Sequence, residues 1–238
     1  VQVQAEEEFV MKRFAILGYP LGHTLSPKLH RLLAEQLGEQ IEYSICAIPP
    51  EELEEHFEEL FCMDGFNITI PYKVRLMEQL DRLDTSARNH GAVNVVSIAA
   101  DGKRCGYNTD CIGFVRTMQS HGVPISGRVC VLGAGGVGRM FATECALRGC
   151  AVTLAVRAAS MKAAEQVAAH IRSLDAQAQV EVMDIEQLDG SQAYELMINA
   201  TPVGMYPNVQ HSPVDEQALR SVTVSYTHLR AHETSAHL

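Results

Sequence analysis

Short apolar runs and amphipathic stretches alternate along the first half of the chain. Phe14–Leu17 predicts a strand, and Pro27–Leu37 predicts a helix that Gly38 ends as a left-handed residue. Further strands are predicted at 42–47 and 67–70. Two more helices are predicted after prolines. The first is indicated by one apolar face, formed by Leu53, Phe57, Leu60 and Phe61. The second is opened by Pro71 and carries the apolar residues Val74, Leu76, Met77 and Leu80. This order predicts an α/β fold with a mixed sheet.

A hairpin is predicted at the end of this half. Val93–Ile98 and Arg104–Tyr107 flank Asp101-Gly102, a strong two-residue turn signal. Counting outward from the turn places Asn94 almost opposite Asp110. We therefore expect an amide and a carboxylate to meet at the open end of the hairpin.

The second half has the pattern of a nucleotide-binding fold. A buried strand, Arg128–Leu132, leads into the glycine loop 133–138, a helix at 137–147 and a second strand at 151–156. A long alanine-rich helix and strands near 180–183 and 196–199 continue the alternation, and Val222–Val224 is expected to start another strand. Such alternation predicts a parallel, doubly wound (Rossmann) sheet.

The polar stretch 117–127, which contains Gly and Pro, is interpreted as a linker. It divides the chain into a substrate-binding and catalytic domain, 11–116, and a Rossmann domain that binds a dinucleotide, 117–225. Residues 1–10 are interpreted as an upstream extension, and 226–238 as a tail foreign to the fold.

Composition restricts the class of protein. The 238 residues are 47% hydrophobic and 20% charged, which suits a globular chain with a sizeable core. No run of about 18 apolar residues predicts a membrane span, and the acidic first ten residues do not resemble a secretory signal. A net charge of −10 argues against a nucleic-acid partner. Seven cysteines without a CxxC pair indicate reduced thiols in a cytoplasmic protein.

The glycine loop fits GxGxxG with Gly133, Gly135 and Gly138 in the required places. The first allows a tight turn, the second a close approach of the pyrophosphate, and the third close helix–strand packing. Arg157 stands at the end of the next strand, where an NAD site has an acid, so NADP is favoured over NAD. The alternative for the glycine loop is an ordinary tight turn between strand and helix, and the alternative for Arg157 is a solvated surface charge.

Two groups in the first half are candidates for chemistry. Thr24 and Ser26 precede Pro27, which fits either an ordinary capped helix start or a site for a small carboxylate. Lys73, predicted early in a helix and close to Thr69, would oppose the helix dipole. That position suggests a function, with a solvent-facing lysine as the alternative.

Six motifs in order make the resemblance to a family specific: GYPLGHTLSP (18–27), GFNITIPYK (65–73), GAVN (91–94), GYNTD (106–110), GAGGVG (133–138) and INATPVGM (198–205). Over about residues 11–219 the chain resembles the shikimate dehydrogenases. The resemblance implies an oxidoreductase of aromatic amino-acid (chorismate) biosynthesis that reversibly reduces 3-dehydroshikimate to shikimate with NADPH. An NAD-dependent quinate/shikimate dehydrogenase and a non-catalytic dinucleotide-binding fragment are the alternatives.

The resemblance also implies roles for residues. Thr24 and Ser26 would bind the substrate carboxylate, and Thr69, Asn94 and Asp110 its ring hydroxyls. Lys73 would be the general acid–base, positioned by Asp110. The residues implied in cofactor binding are Gly133, Ala134, Gly135, Gly136, Val137, Gly138, Arg157, Ala200, Thr201, Pro202, Val203, Gly204 and Met205.

The chain departs from the family pattern in three places. Thr24 stands where Ser is more common, and Arg157 lacks the usual second basic partner. After about residue 219, members of the family continue the Rossmann sheet and then return a closing helix to the first domain, and 226–238 do not resemble that segment. This chain is therefore expected to be less stable than a full-length relative and to turn over weakly. His228 and His232 have helical metal-ligand spacing but no third ligand, so no metal is predicted. The oligomeric state stays open, with a homodimer as one option.

Overall fold

The structure, a computed structural model, describes residues 11–22, 24–204 and 210–227. It divides into two compact units. The first contains the described residues up to Ala87 together with Gly91–Tyr107, and the second contains Arg88–His90 and the described chain from Asn108. The predicted domain boundary at 116/117 falls inside a helix, Asp110–Ser120, so the functional division of the chain stays a prediction.

The first unit is built on a mixed six-stranded sheet. Its strands are β1 (Lys12–Gly18), β2 (Ile41–Ala47), β3 (Gly65–Ile68), β4 (Arg82–Leu83), β5 (Val95–Ile98) and β6 (Arg104–Tyr107). The spatial order is β2-β1-β3-β5-β6-β4. β1 runs parallel to β2 and β3, whereas β5 is antiparallel to β3 and β6. The α/β class with a mixed sheet is confirmed.

Three α-helices and two 3-10 helices connect these strands. They are α1 (Ser26–Gln36), a 3-10 helix (Leu53–His56), α2 (Phe57–Phe61), a 3-10 helix (Arg75–Gln79) and α3 (Thr85–His90), the last of which passes into the second unit. Gly38 has φ 72° and ends α1 as expected. Leu17, Phe66 and Ile68 from the sheet pack with Leu53 and Tyr72 in one buried cluster.

The predicted hairpin is present. β5 pairs with β6 from Ile98 opposite Arg104 to Val95 opposite Tyr107, and Gly102 takes φ 80° in the turn. The ladder ends at Tyr107, and Asp110 begins a helix three residues beyond it. The hairpin alone therefore does not bring Asn94 and Asp110 together, and their pairing stays a prediction.

The helix predicted to open at Pro71 is wrong for its first residues. Lys73 lies in a turn, and only a short 3-10 helix follows, from Arg75. In a helix the Lys73 carbonyl would accept from the amide four residues on, but here it accepts from the Val93 N–H at 2.7 Å. The argument that Lys73 opposes a helix dipole therefore fails.

The second unit has five parallel strands: β7 (Arg128–Leu132), β8 (Ala151–Val156), β9 (Val180–Asp184), β10 (Tyr194–Asn199) and β11 (Val222–Thr227). Their order is β11-β10-β7-β8-β9. The helices are α4 (Asp110–Ser120), α5 (Gly136–Leu147), α6 (Met161–Leu174) and α7 (Glu216–Leu219), with 3-10 turns at Ala158–Ser160 and Ile185–Gln187. Alternate residues of β7 enter two buried clusters, Val129 and Val131 in one, Cys130 and Leu132 in the other. The predicted parallel Rossmann sheet is thus present.

The strand predicted to start at Val222 is confirmed, but Tyr226 and Thr227, which were predicted to belong to a foreign tail, are residues of this strand. Tyr226 belongs to β11, and its ring lies 6.0 Å from Phe114 and 6.1 Å from Phe141 between centroids. The reason is that Tyr226 extends the apolar alternation of Val222 and Val224. Residues 228–238 and 1–10 lie outside the described residues. Among the described helices, none is both long and apolar enough to span a bilayer.

Candidate active site

In the first unit, the segments that follow β1 and β3 are joined to each other. The Thr69 N–H donates to the Leu17 carbonyl at 2.8 Å, and the Tyr19 N–H donates to the Ile70 carbonyl at 3.0 Å. A Cβ at Gly18 would lie 2.4 Å from the Thr69 methyl, so the two segments approach more closely than a side chain would allow. The carboxyl ends of these parallel strands form the edge at which α/β sheets bind ligands.

The same edge carries Lys73 and Asn94. The Lys73 carbonyl accepts from Val93, and the Asn94 carbonyl accepts from the Ile68 N–H at 2.8 Å. Asn94 is buried, while Thr69 and Lys73 are half-buried. The backbone thus brings three of the predicted substrate and catalytic residues, two that follow β3 and one that precedes β5, to one end of the sheet.

Thr24 and Ser26 lie between β1 and the first turn of α1. The Thr24 hydroxyl accepts from the Ser26 N–H at 3.2 Å. Leu25, not Ser26, occupies the N-cap, and no side chain caps the helix. The ordinary interpretation of Ser26 as a capping residue is therefore wrong, because the helix begins one residue earlier than predicted.

Tyr43 and Asn67 form a polar pair that the sequence interpretation missed. The Tyr43 hydroxyl donates to Asn67 Oδ1 at 2.7 Å, and its ring stacks on His30 with centroids 4.6 Å apart. Burial raises the pKa of Tyr43, and a hydrogen bond with Ser26 partly offsets this. Asn67 is two positions before Thr69, and side chains two apart share a face of an extended strand. This two-residue spacing from Thr69 is the sequence signal that could have identified Asn67 as a candidate site residue.

In the second unit, the glycine loop has the geometry expected of a dinucleotide-binding turn. Gly133 takes φ 99°, and a Cβ at Gly138 would lie 2.1 Å from the Gly133 carbonyl oxygen. A Cβ at Gly135 would meet no described atom within 4 Å. The loop is therefore closed towards the sheet and open in front of the N-terminus of α5, where a pyrophosphate could approach the backbone.

The loop after β10 lies against the glycine loop. The Thr201 methyl is 3.0 Å from a Cβ built at Gly133. Asn199, which is buried, accepts from the Thr201 N–H at 3.0 Å and hydroxyl at 2.7 Å, and donates to the Val203 carbonyl at 3.0 Å. Asn199 thus fixes the predicted cofactor-binding loop from Ala200 to Gly204; Met205 lies outside the described residues.

Arg157 directly follows β8 and is exposed. β8 is the neighbour of β7, so Arg157 and the glycine loop follow the carboxyl ends of adjacent strands. An exposed guanidinium at this position suits a 2′-phosphate. The donor set of this unit therefore fits NADP.

Asp110 is the first residue of α4 and lies in the second unit, whereas Lys73 lies in the first. The Asp110 N–H donates to the Oδ1 of Asn108, which is buried, at 3.1 Å. A carboxylate in the first turn is also favoured by the helix dipole. Asp110 is therefore held in place by its own turn, and its pairing with Lys73 stays a prediction.

Comparison with known proteins decides the family. Residues 16–96 match the family described as "Shikimate dehydrogenase substrate binding domain". The protein named shikimate dehydrogenase (NADP(+)) of Bacillus cereus (strain B4264) is 36% identical over 216 residues, which cover 89% of this chain and 76% of that protein. The chain belongs to the shikimate dehydrogenase family.

Solved structures of similar proteins agree. The shikimate 5-dehydrogenase of Thermus thermophilus, in complex with NADP(H) and shikimate, has a TM-score of 0.79 and 30% identity, covering 91% of this chain and 78% of that one. The ligand-free 5-ketofructose reductase of Gluconobacter sp. strain CHM43 has a TM-score of 0.78 and 30% identity, with 92% and 79% covered. Proteins named for different substrates therefore share the shikimate dehydrogenase fold.

Proposed function

We propose that the protein is an NADP-dependent shikimate dehydrogenase that reversibly reduces 3-dehydroshikimate to shikimate. The observation that carries the proposal is the backbone arrangement around Lys73, whose carbonyl is held by Val93 beside the segments of Thr69 and Asn94. The family match over residues 16–96 covers this whole edge and supports its assignment to substrate.

Lys73 is assigned the proton transfer. NADPH supplies the hydride to the carbonyl carbon of 3-dehydroshikimate. The Lys73 ammonium gives a proton to the carbonyl oxygen, becomes a neutral amine and regains a proton from solvent. In the direction of oxidation the amine accepts the hydroxyl proton. Asp110 is assigned the positioning and charge stabilisation of the Lys73 ammonium.

Hydroxyl and amide groups are assigned the orientation of the substrate. Thr24 and Ser26 donate to the carboxylate, while Thr69 and Asn94 bind ring hydroxyls. The chain carries a net charge of −10, so an anionic substrate meets a repulsive background field and needs such local donors. Hydrogen bonds from fixed groups hold the carbonyl in line for transfer.

The second unit is assigned the cofactor. The open backbone at Gly135 and the N-terminus of α5 would receive the pyrophosphate, and Arg157 would bind the 2′-phosphate. The loop from Ala200 to Gly204, braced by Asn199, would line the nicotinamide.

The test is a spectrophotometric assay of the purified chain. Shikimate and quinate are each offered with NADP and with NAD, and formation of the reduced nicotinamide is followed. We expect turnover above background with shikimate and NADP, and a lower kcat/KM with quinate or with NAD. No turnover in any combination, although NADP binds, would contradict the proposal and favour a non-catalytic dinucleotide-binding protein. A preference for quinate with NAD would contradict the substrate and cofactor assignment.

A cytoplasmic location is part of the proposal. All seven cysteines are free thiols, which suits a reducing compartment. Cell fractionation with an antibody to the chain should recover the protein in the cytoplasmic fraction. Recovery in an exported fraction would contradict this location.

A further inference from the structure

Three residues from three helices meet inside the second unit, and the proposed reaction uses none of them. They are His90 at the end of α3, Cys111 in the first turn of α4 and Glu144 in α5. A ring nitrogen of His90, the Cys111 Sγ and a carboxylate oxygen of Glu144 all lie within 4.8 Å of one another. We infer that these side chains form a binding site for one Zn²⁺ ion or a chemically similar divalent ion.

The distances suit a tetrahedral ion. His90 Nε2 lies 3.3 Å from Glu144 Oε2. Ligands about 2.0–2.1 Å from zinc, separated by the tetrahedral angle, are about 3.3 Å apart. The other carboxylate oxygen of Glu144 accepts from Arg148 Nε at 2.8 Å, so Oε2 can serve as a single ligand while Arg148 keeps the carboxylate oriented, as the outer partners of metal sites do.

The chemistry of the set favours zinc over hard cations. One nitrogen, one sulfur and one oxygen ligand suit Zn²⁺, whereas Mg²⁺ and Ca²⁺ prefer oxygen alone. The Cys111 thiol donates to the Asn108 carbonyl at 3.1 Å, and burial raises its pKa to about 11. A bound ion would displace the thiol proton.

His90 is buried in this cluster, with 2% of its side chain exposed. Its Nε2 is the nitrogen that faces Glu144, so Nε2 is the ligand atom of the proposed site.

The fourth coordination position has access to solvent. A groove of about 220 Å³ is lined by Cys111 and Glu144 together with Arg148, Val115 and Gln119. It has room for water molecules, which complete the coordination of zinc in sites with three protein ligands. The groove therefore gives water and an ion access to two of the three proposed ligand residues.

Cobalt(II) is the probe for the test, because thiolate ligation to Co²⁺ gives a charge-transfer absorption that histidines elsewhere in the chain cannot produce. We expect one equivalent of Co²⁺ to generate this band and Zn²⁺ to abolish it by displacement. Cys111→Ser should remove the band, whereas Cys62→Ser, which changes an exposed cysteine of the first unit, should leave it intact.

Glu144→Gln is the second variant, because the amide can still hydrogen-bond to His90 and Arg148 and preserve the fold. With an unchanged circular dichroism spectrum, it should bind Co²⁺ at least about tenfold more weakly. Absence of the band in the native chain, a full band in Cys111→Ser, an equal loss in Cys62→Ser, or native affinity in Glu144→Gln would each overturn the inference.

Discussion

A Cβ at Gly138 would lie 2.1 Å from the carbonyl oxygen of Gly133. The first turn of α5 therefore packs against the end of β7 with no space for a side chain, and this contact fixes the loop in front of the helix. Gly135, three residues earlier, has open space in front of its backbone. We therefore expect the two glycines to have separable roles, Gly138 in packing and Gly135 in cofactor binding.

Gly138→Ala should lower both stability and cofactor affinity, because a methyl group cannot be accommodated against backbone. We expect a loss of about 1–3 kcal/mol in the free energy of unfolding, as for an overpacked site. Gly135→Ala should unfold like the native chain but bind NADP more weakly. Urea unfolding and fluorescence titration with NADPH measure the two effects, and equal destabilisation by both substitutions would contradict the assignment.

Arg157→Ala should weaken binding of NADP selectively. A charge-assisted hydrogen bond to a phosphate is worth about 1.5–3 kcal/mol, or roughly tenfold to a hundredfold in Kd. Affinity for NAD, which lacks the 2′-phosphate, should change little. Arg220→Ala, which removes the same charge just before the amino end of β11, is the matched control. Equal weakening of NAD and NADP by Arg157→Ala would refute the assignment.

Thr69→Val should raise KM for shikimate by about fivefold to tenfold, because one neutral hydrogen bond is worth about 1 kcal/mol. Valine keeps a methyl group against Gly18 while it removes the hydroxyl. Thr117→Val changes a half-buried threonine of α4 in the same way and should leave KM unchanged. A native KM in Thr69→Val would exclude the threonine hydroxyl from substrate binding.

Glu144 gives stability a defined pH dependence. The hydrogen bond with His90, assisted by Arg148 and opposed by burial, lowers the pKa of Glu144 below its usual 4.5. The pKa of Glu144 is lower in the folded than in the unfolded chain. The carboxylate therefore makes its full contribution to the free energy of unfolding at a pH above its pKa in the unfolded chain. That contribution is lost as the pH falls through its pKa in the folded chain. Glu144→Gln should therefore cost about 1.5–3 kcal/mol at neutral pH and much less in acid.

Urea unfolding at about pH 7 and about pH 3 checks this dependence. Glu165→Gln, which removes an exposed charge from α6, is the control and should show little change at either pH. If the difference in the free energy of unfolding between the native chain and Glu144→Gln grows as the pH falls, the prediction is contradicted, because its sign is then reversed.

Local signals in the sequence predicted most of the fold. The Asp101-Gly102 turn, the glycine loop and the apolar strand runs are each specified within a few neighbouring residues, and the structure contains all three elements. The turn at Lys73 was not predictable in this way, because the competing hydrogen bond comes from Val93, twenty positions away. The spacing of apolar residues carries no information about a carbonyl that accepts a hydrogen bond from a distant segment.

Contacts between side chains that are far apart in the sequence were also not predictable. Tyr43 and Asn67 are 24 positions apart, and His90 and Glu144 lie on separate helices. Nothing in the spacing of these residues connects them, since the tertiary fold alone makes them neighbours. The family motifs implied roles for Lys73 and Asp110, which composition and periodicity could not do.

The kinetic effect of Lys73→Ala tests the central claim most directly. Its backbone contact with Val93 survives the substitution, so the fold and NADP affinity should stay native while kcat for shikimate oxidation falls by about 10²–10⁴. Lys103→Ala, at the exposed hairpin turn, should keep native kcat. A Lys73→Ala protein that binds NADP normally and retains kcat within a few-fold of the native chain would contradict the account.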